Sequence, residues 1–315
     1  MKQLLIIIAA FLLIVLGAVA AHYYFIGSDP EPPTGAIAPE TPTDVPDPSL
    51  DVEPVTPTPT PAPEPVTFER ESVLGTSAGG AAIRAYHFGT GENEVLLVGG
   101  IHGGYSWNTS LLAFEIIDWL SADQERVPEN VTVTVVPVLN PDGLQKVTGT
   151  TGRFQASDVD ATQATRVAGR FNANEVDLNR NFDCEWQATG MWQTRTVSGG
   201  TAPFSEPESQ AIRTYINATQ PSAVIVWYSA AGGVYSSNCR NGVLPETRAL
   251  TNLFAQASGY PAHEEFDYYA ITGDMVNWLA ARNIPGISVL LTTHEGTEWT
   301  KNRAGIEAVL ARYAD

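Results

Sequence analysis

A proline-rich, acidic stretch divides this chain and confines any globular fold to its carboxyl-terminal part. Residues 27–66 contain 13 of the 22 prolines and eight acidic residues, but no lysine or arginine. Such a composition cannot bury enough apolar surface to fold, and proline favours extended backbone. We therefore predict a disordered linker over residues 27–66, which leaves residues 67–315 for a single large domain.

An uninterrupted apolar run lies near the amino-terminal end. Residues 4–21 follow a single positive charge, Lys2, and an 18-residue helix rises about 27 Å, close to the thickness of a bilayer's hydrocarbon core. The small residues at 18–20 also resemble a signal-peptidase site. Residues 1–26 are therefore predicted to be a signal peptide or, as the length favours, an uncleaved membrane anchor. Either way we expect an extracytoplasmic domain, membrane-anchored or secreted.

Charge and cysteine content exclude several classes of protein. The chain has 17 Lys plus Arg against 35 Asp plus Glu, a net charge of −18. Because phosphates are bound by clustered basic side chains, a nucleic-acid partner is not expected. Two cysteines exclude a zinc finger or an iron–sulfur site and allow one disulfide. In an exported domain we expect Cys184 and Cys239 to pair. A catalytic thiol is usually activated by a histidine, and no His adjoins either cysteine.

Strands and helices alternate along residues 67–315. An antiparallel hairpin is predicted over residues 68–74 and 81–88. Buried strands are predicted at residues 94–99, 131–139, 223–227 and 286–291. Helices are predicted at about residues 108–121 behind an Asn or Thr cap, from the segment at 205–208, and at about 246–258, 273–282 and 300–313. The pattern predicts a single α/β domain with a mixed, mostly parallel twisted sheet and helices on both faces.

Glycine-rich polar segments follow the predicted strands, where the ligand sites of such sheets lie. They are GGIHGGYSWN (99–108), NPDG (140–143), GRFNANEVDLNRNF (169–182) and LLTTH (290–294). Together with PFSEPE (203–208) and YAITGDMVNW (269–278), this series resembles the zinc carboxypeptidases of the carboxypeptidase A type, in the same order and over nearly the whole domain. The resemblance implies the zinc-carboxypeptidase fold.

The same resemblance implies a zinc site that this chain does not complete. His102 matches the first ligand, but Tyr105, or Ser106 beside it, stands at the acidic ligand, and Tyr228 stands at the second histidine. Leu290 occupies the position of the general-base glutamate. Tyrosine ligates only as phenolate, with a usual pKa near 10, and leucine has no proton chemistry. We therefore expect no intact catalytic residue, His102 as the single retained metal ligand, and no bound cofactor.

The remaining histidines do not rebuild the metal site in this reading. His294 lies four residues beyond Leu290, and an extended strand would carry it about 13 Å away. The alternative that stays open is an active zinc metallocarboxypeptidase, with zinc as its cofactor, whose metal site is unconventional.

The substrate-binding positions, in contrast, match the family. The resemblance assigns recognition of a peptide's C-terminal carboxylate and last residue to Arg170, Asn179, Arg180 and Tyr269. Guanidinium groups bind carboxylates bidentately. Val276 matches the floor of the side-chain pocket, which would suit an apolar residue. The plain alternative for Arg180 is an ion pair with Asp177 or Asp183.

Two functions therefore remain open. The first is a catalytically inactive relative of the carboxypeptidases that binds a peptide or protein C-terminus or acts as an extracytoplasmic scaffold. The second is an active zinc metallocarboxypeptidase that hydrolyses C-terminal peptide bonds. In either case the amino-terminal segment, if uncleaved, would contact the membrane.

Overall fold

The computed structural model describes residues 70–160 and 162–314. The predicted anchor or signal peptide (residues 1–26) and the predicted linker (residues 27–66) lie outside these residues. Among the helices of the described residues, none has the length and apolar character that a membrane span requires.

Ten strands and seven helices are described. The strands are β1 Glu71–Thr76, β2 Ala82–Phe88, β3 Asn93–Val98, β4 Val131–Val136, β5 Thr189–Trp192, β6 Arg195–Ser198, β7 Ala223–Ser229, β8 Gly233–Ser236, β9 Ala262–His263 and β10 Gly286–Leu291. The helices are α1 Trp107–Ala122, α2 Pro141–Thr148, α3 Gln163–Ala168, α4 Pro207–Thr219, α5 Pro245–Ser258, α6 Met275–Ala281 and α7 Trp299–Arg312.

Eight of these strands form one mixed sheet, in the order β1-β2-β4-β3-β7-β10-β8-β9. The central strands β4, β3, β7 and β10 are parallel, whereas β2 pairs antiparallel with β4 and β8 pairs antiparallel with β10. The central strands read as continuous apolar runs because both of their faces are covered; every residue of β7 is buried. The predicted fold class is confirmed.

Two hydrophobic cores lie on opposite faces of the sheet. Alternate residues of β3 divide between them, with Val95 and Leu97 on one side and Leu96 and Val98 on the other. The first core contains apolar residues of α1, α5 and α7, and the second contains those of α4 and α6. The parallel strands are thereby fixed in register, and their carboxyl ends meet at one edge of the sheet.

Two details of the predicted elements need correction. Helix α1 begins at Trp107, and neither Asn108 nor Thr109 caps it. The Asn108 amide instead donates to the carbonyls of Thr293 and Gly296, at 2.8 and 2.9 Å. In addition, the sequence did not predict β8, β9, the separate β5–β6 hairpin, α2 or α3.

The predicted disulfide is confirmed. Cys184 and Cys239 are bonded, at a sequence separation of 55. Cys184 follows the Asn-Arg-Asn segment and Cys239 follows β8, so the bond ties these two loops together.

Candidate functional site

A cavity of about 1040 Å³ opens at the carboxyl ends of β3, β7 and β10. Each strand delivers one predicted site residue to its wall. His102 follows β3, Tyr228 is the second-last residue of β7, and Leu290 is the second-last residue of β10. The short 3₁₀ turn at Leu178–Arg180 and the loop before α6 supply the opposite wall.

The glycines around His102 are required by close backbone packing. Gly103 has a φ of 45°, and a Cβ there would lie 2.8 Å from the backbone of Gly143 and 2.7 Å from the carbonyl oxygen of Gly169. No residue with a side chain fits without a shift of this backbone. The three glycine-containing motifs are thus packed together, and their packing places His102 at the cavity.

His102 is buried and electrically neutral. Burial holds the pKa of its imidazole well below the usual range, and the guanidinium groups of Arg170 and Arg180 lower that pKa further. Neither ring nitrogen has a hydrogen-bond partner in the described part of the chain. Its Nε2 lies 3.7 Å from Oδ1 of Asp177.

Tyr105, and not Ser106, occupies the cavity side of the turn after His102. The Tyr105 ring packs edge-on against Trp192 and His294, with ring centroids 4.8 and 4.7 Å apart. Ser106 is buried and does not line the cavity. An aromatic cluster (Tyr105, Trp192 and His294) therefore fills the space beside His102.

His294 is closer to the site than the sequence indicated. The estimate of about 13 Å assumed that the strand continues, but β10 ends at Leu291 and the chain turns back. His294 lines the cavity, and its Nδ1 is 2.9 Å from the hydroxyl of Ser229. Burial lowers the pKa of His294, so this imidazole is neutral as well.

Tyr228 is a neutral phenol. Burial raises its pKa well above the usual value, and the nearby charge of Asp274 raises it further. Its hydroxyl donates a hydrogen bond to Oδ1 of Asn179 at 3.1 Å, and its ring centroid is 5.4 Å from that of His102. Tyr228 is therefore a hydrogen-bond donor within the cavity wall and not a phenolate ligand.

The residues around His102 do not fit a zinc ion. A catalytic zinc needs three protein ligands and an open position for water. Among the described residues no group of three His, Cys, Asp or Glu side chains could hold a metal. Leu290, which lines the cavity at the base position, cannot accept a proton from water. The described residues around His102 therefore do not supply the three ligands and the general base of a catalytic zinc site.

Arg180 is a buried cation that is not ion-paired. It is 1% exposed, its Nη2 donates to the carbonyl of Met191 at 2.7 Å, and its Nε has no hydrogen-bond partner within the described residues. The predicted alternative, an ion pair with Asp177 or Asp183, is wrong. No carboxylate in residues 70–160 or 162–314 lies within 4.0 Å of its guanidinium nitrogens.

Asp177 pairs with Arg170 instead. Nε of Arg170 donates to Oδ2 of Asp177 at 2.8 Å, and both side chains are buried. The Arg170 guanidinium also lies 4.4 Å from the ring centroid of Trp192. Arg170 is therefore fixed and charge-balanced. Arg180 has no described carboxylate within ion-pair distance, although its charge opposes the burial that raises the pKa of Asp274.

Asn179 and Tyr269 complete the group around Arg180. The Asn179 side chain connects Tyr228 with Asp274. Its Oδ1 accepts a hydrogen bond from the Tyr228 hydroxyl, and its Nδ2 donates to Oδ2 of Asp274 at 3.0 Å. The Tyr269 ring centroid is 5.8 Å from the Arg180 guanidinium carbon. The structure thus brings together all four residues predicted to bind a carboxylate.

Val276 does not form the floor of the cavity. Val276 is 1% exposed and packs in the core beside Gly286. A Cβ added to Gly286 would lie 3.4 Å from Cγ1 of Val276. The reason is the phase of α6, which turns Val276 toward the sheet and leaves Asp274 and Asn277 facing the cavity. Asp274 caps the helix by accepting from the Asn277 backbone at 2.7 Å.

Sequence reasoning missed Asp274. The available signal was an aspartate at the second residue of the helix predicted over residues 273–282, a position near enough to the start to indicate an N-cap. It could not show that the cap faces a ligand cavity.

Comparisons with known proteins agree with this fold. A sequence model of the zinc carboxypeptidase family matches residues 67–276. Among solved structures, the carboxypeptidase A of Helicoverpa armigera is 21% identical with a TM-score of 0.60, over 78% of this chain and 68% of that chain.

Two further structures match equally broadly. Bovine thrombin-activatable fibrinolysis inhibitor, solved in complex with tick carboxypeptidase inhibitor, is 17% identical with a TM-score of 0.59, over 78% of this chain and 88% of that one. The murein-tripeptide amidase of Escherichia coli O157 is 22% identical with a TM-score of 0.54, over 78% and 92%. At these identities the structural matches show the fold alone.

Proposed function

This chain belongs to the zinc carboxypeptidase family, and we propose that its domain binds the C-terminal carboxylate of a peptide or protein without hydrolysing it. The observation that carries this proposal is Arg180, a buried guanidinium that faces a large cavity with no carboxylate partner among the described residues. A buried charge is costly unless it is paired. An anionic ligand would supply the missing partner.

The geometry around Arg180 suits a carboxylate. The planar guanidinium offers donors in a fixed fork, and Tyr269 and Asn179 lie next to it. Arg170 adds positive potential from a position that Asp177 holds in place. A charge-assisted hydrogen bond contributes about 1.5–3 kcal/mol, so micromolar to millimolar affinity is expected for a short peptide.

The absence of hydrolysis is proposed from the residues around His102. Two imidazoles, His102 and His294, line the cavity, and this pair is the observation that favours the alternative of an active enzyme with an unconventional zinc site. The pair lacks a third ligand in the described residues and lacks a general base at Leu290. We therefore propose that the domain holds no zinc.

We also propose that the domain works outside the cytoplasm. The apolar run at residues 4–21 and the linker composition at residues 27–66 support export, as does the bonded pair Cys184–Cys239. The expected partner is then a peptide or protein C-terminus in that compartment, with membrane attachment if the run is retained. The net charge of −18 supports no role in nucleic-acid binding.

The carboxylate proposal is tested by titrating the purified chain with one peptide in two forms. A short peptide ending in norleucine is compared as the free acid and as the C-terminal amide. We expect the free acid to bind at least about tenfold more tightly, which corresponds to about 1.4 kcal/mol. Arg180→Ala should remove this difference.

Arg213→Ala is the matched control. Arg213 also packs on an aromatic ring, with its guanidinium 4.4 Å from the centroid of Phe204, but it does not line the cavity. This variant should keep the preference for the free acid. Equal binding of the acid and the amide to the unmodified chain would overturn the proposed function.

A further inference from the structure

We propose that a second groove, between α4 and α6, binds an acidic peptide segment through Arg213 and Arg282. This helix groove encloses about 740 Å³, and its most buried lining residues, Phe204 and Trp278, form the floor. None of the described residues lines both the helix groove and the cavity at Arg180. The inference therefore goes beyond the proposed function and does not depend on it.

The floor of the helix groove is aromatic and firmly packed. Phe204 and Trp278 are 8% and 4% exposed, and their rings pack edge to face with centroids 5.4 Å apart. Both rings also pack on Phe182, with centroids 5.5 and 5.8 Å away. The indole N–H of Trp278 has no hydrogen-bond acceptor among the described residues. The floor thus offers a ligand apolar ring surface and one hydrogen-bond donor.

Two guanidinium groups lie over this floor. Arg213 of α4 is 4.4 Å from the ring centroid of Phe204, and Arg282, which follows α6, is 5.8 Å from that of Trp278. A cation–π contact places a guanidinium without using its N–H donors. Within the described part of the chain, neither arginine has a carboxylate within 4.0 Å or donates a side-chain hydrogen bond. Both guanidinium groups are therefore available to an anion.

The charge of the helix groove is opposite to that of the chain. The chain has a net charge of −18, whereas the groove is lined by two arginines and a single acidic residue, Asp183. Asp183 is exposed and lies more than 4.0 Å from either guanidinium group. A positive groove on an acidic protein directs negatively charged ligands to that groove.

A peptide with spaced carboxylates fits the helix groove better than a small free anion. The two guanidinium groups lie over different rings, so each presents its own fork of donors. Two acidic side chains of one extended peptide can engage both forks, and prolines between them can cover the aromatic floor. Thr214 and Asn217, which are exposed on α4 at the groove, can bond the peptide backbone.

The test uses acetylated hexapeptides whose C-terminus is amidated, so that they lack the carboxylate proposed to bind at Arg180. A peptide of alternating glutamate and proline is compared with one of alternating glutamine and proline. We expect the glutamate peptide to bind about tenfold more tightly, through two partly screened charge-assisted contacts. Arg213→Gln with Arg282→Gln should reduce this ratio to about one. Added salt should reduce the ratio for the unmodified chain as well.

The matched control is Arg126→Gln with Arg312→Gln. These arginines also lie near aromatic rings, 5.2 Å from the centroid of Trp119 and 6.0 Å from that of Tyr313, but they line neither the helix groove nor the cavity. The control removes the same two charges and should keep the glutamate-to-glutamine ratio. Arg180→Ala should keep the ratio too, because the cavity is a separate site.

Three results would overturn the assignment. One is equal binding of the two peptides to the unmodified chain. Another is a preference for glutamate that survives in the Arg213 and Arg282 double variant, or that Arg180→Ala removes, because the acidic side chains would then bind elsewhere. The third is a dimer, measured by sedimentation without peptide, that the double variant dissociates, because the occupant would then be a second copy of the chain. The norleucine peptides test carboxylate binding at Arg180 separately, so either proposal can fail alone.

Discussion

Two halves of one cavity differ in the charge and the packing of their side chains. The first, the metal half, consists of His102, Tyr105, Tyr228 and Leu290. The second, the carboxylate half, consists of Arg170, Asn179, Arg180 and Tyr269. In the metal half, bulky uncharged side chains fill space, and Tyr105 packs against Trp192 and His294. In the carboxylate half, a buried cation is left without a carboxylate partner among the described residues.

Both halves hold buried nitrogens that lack a hydrogen-bond partner among the described residues. In the metal half these are the two ring nitrogens of His102, a neutral imidazole, while the Tyr105 ring needs no ligand because it packs on other rings. In the carboxylate half the unpartnered nitrogen is Nε of Arg180, which belongs to a cation. An unpartnered buried group typically costs about 1–3 kcal/mol, and more when it is charged. We therefore expect the carboxylate half to bind the ligand.

The largest expected effect comes from restoring the metal half. Replacing Tyr105→Glu, Tyr228→His and Leu290→Glu together would give His102 two further ligands and a base. Zinc affinity should rise at least about a thousandfold, to roughly one zinc per chain after dialysis, although activity should stay low without partners that orient the ligands. Elemental analysis measures the zinc content.

The control for this restoration is the set Tyr105→Gln, Tyr228→Asn and Leu290→Gln, which matches its shape without its ligands. It should retain no zinc. A restored variant that folds and still holds no zinc would show that these positions were wrongly matched to the family.

Removing the disulfide should have the next largest effect. In the chain-entropy model, a loop of 55 residues contributes about 4 kcal/mol to the free energy of unfolding. Cys184→Ser with Cys239→Ser should therefore lower the melting temperature by roughly 10 °C, as measured by calorimetry. Reduction of the disulfide in the unmodified chain should lower the melting temperature by the same amount. An unchanged melting temperature would show that the Cys184–Cys239 bond does not stabilise the fold.

The smallest expected effect concerns the contact between the two halves. Tyr228→Phe removes the hydroxyl that donates to Asn179 while keeping the ring. Free-acid peptides should bind about fivefold more weakly, the equivalent of about 1 kcal/mol, because Asn179 loses one of the bonds that fix it. Calorimetric titration measures the loss. A larger loss than that of Arg180→Ala would place the main binding contact in the metal half instead.

The sequence predicted the frame of the molecule well because its central strands are long, apolar and buried on both faces. Residues 223–227 and 286–291 could be read as strands for that reason. Short elements such as β8 and β9 were not predictable, since strands of four and two residues carry no periodic signal. Their pairing depends on the neighbouring β10, which is a tertiary effect.

Within the site, motif order was sufficient to place His102, Arg170 and Arg180 in one cavity. It could not give the orientation of side chains beyond the motifs. His294 enters the cavity because the chain turns after Leu291, and Val276 leaves it because of the phase of α6. Val276 packs in the core, whereas Asp274 and Asn277 line the cavity, and the motif at residues 269–278 does not by itself show which side of α6 faces the cavity.

The most direct test is the effect of a chelator on peptide binding. The purified chain is analysed for metal and then titrated with the norleucine free acid before and after treatment with a strong zinc chelator. We predict less than about one-tenth of an equivalent of zinc per chain and the same dissociation constant in both titrations, because Arg180 holds the carboxylate without a metal. Stoichiometric zinc, with binding that the chelator abolishes, would contradict the account.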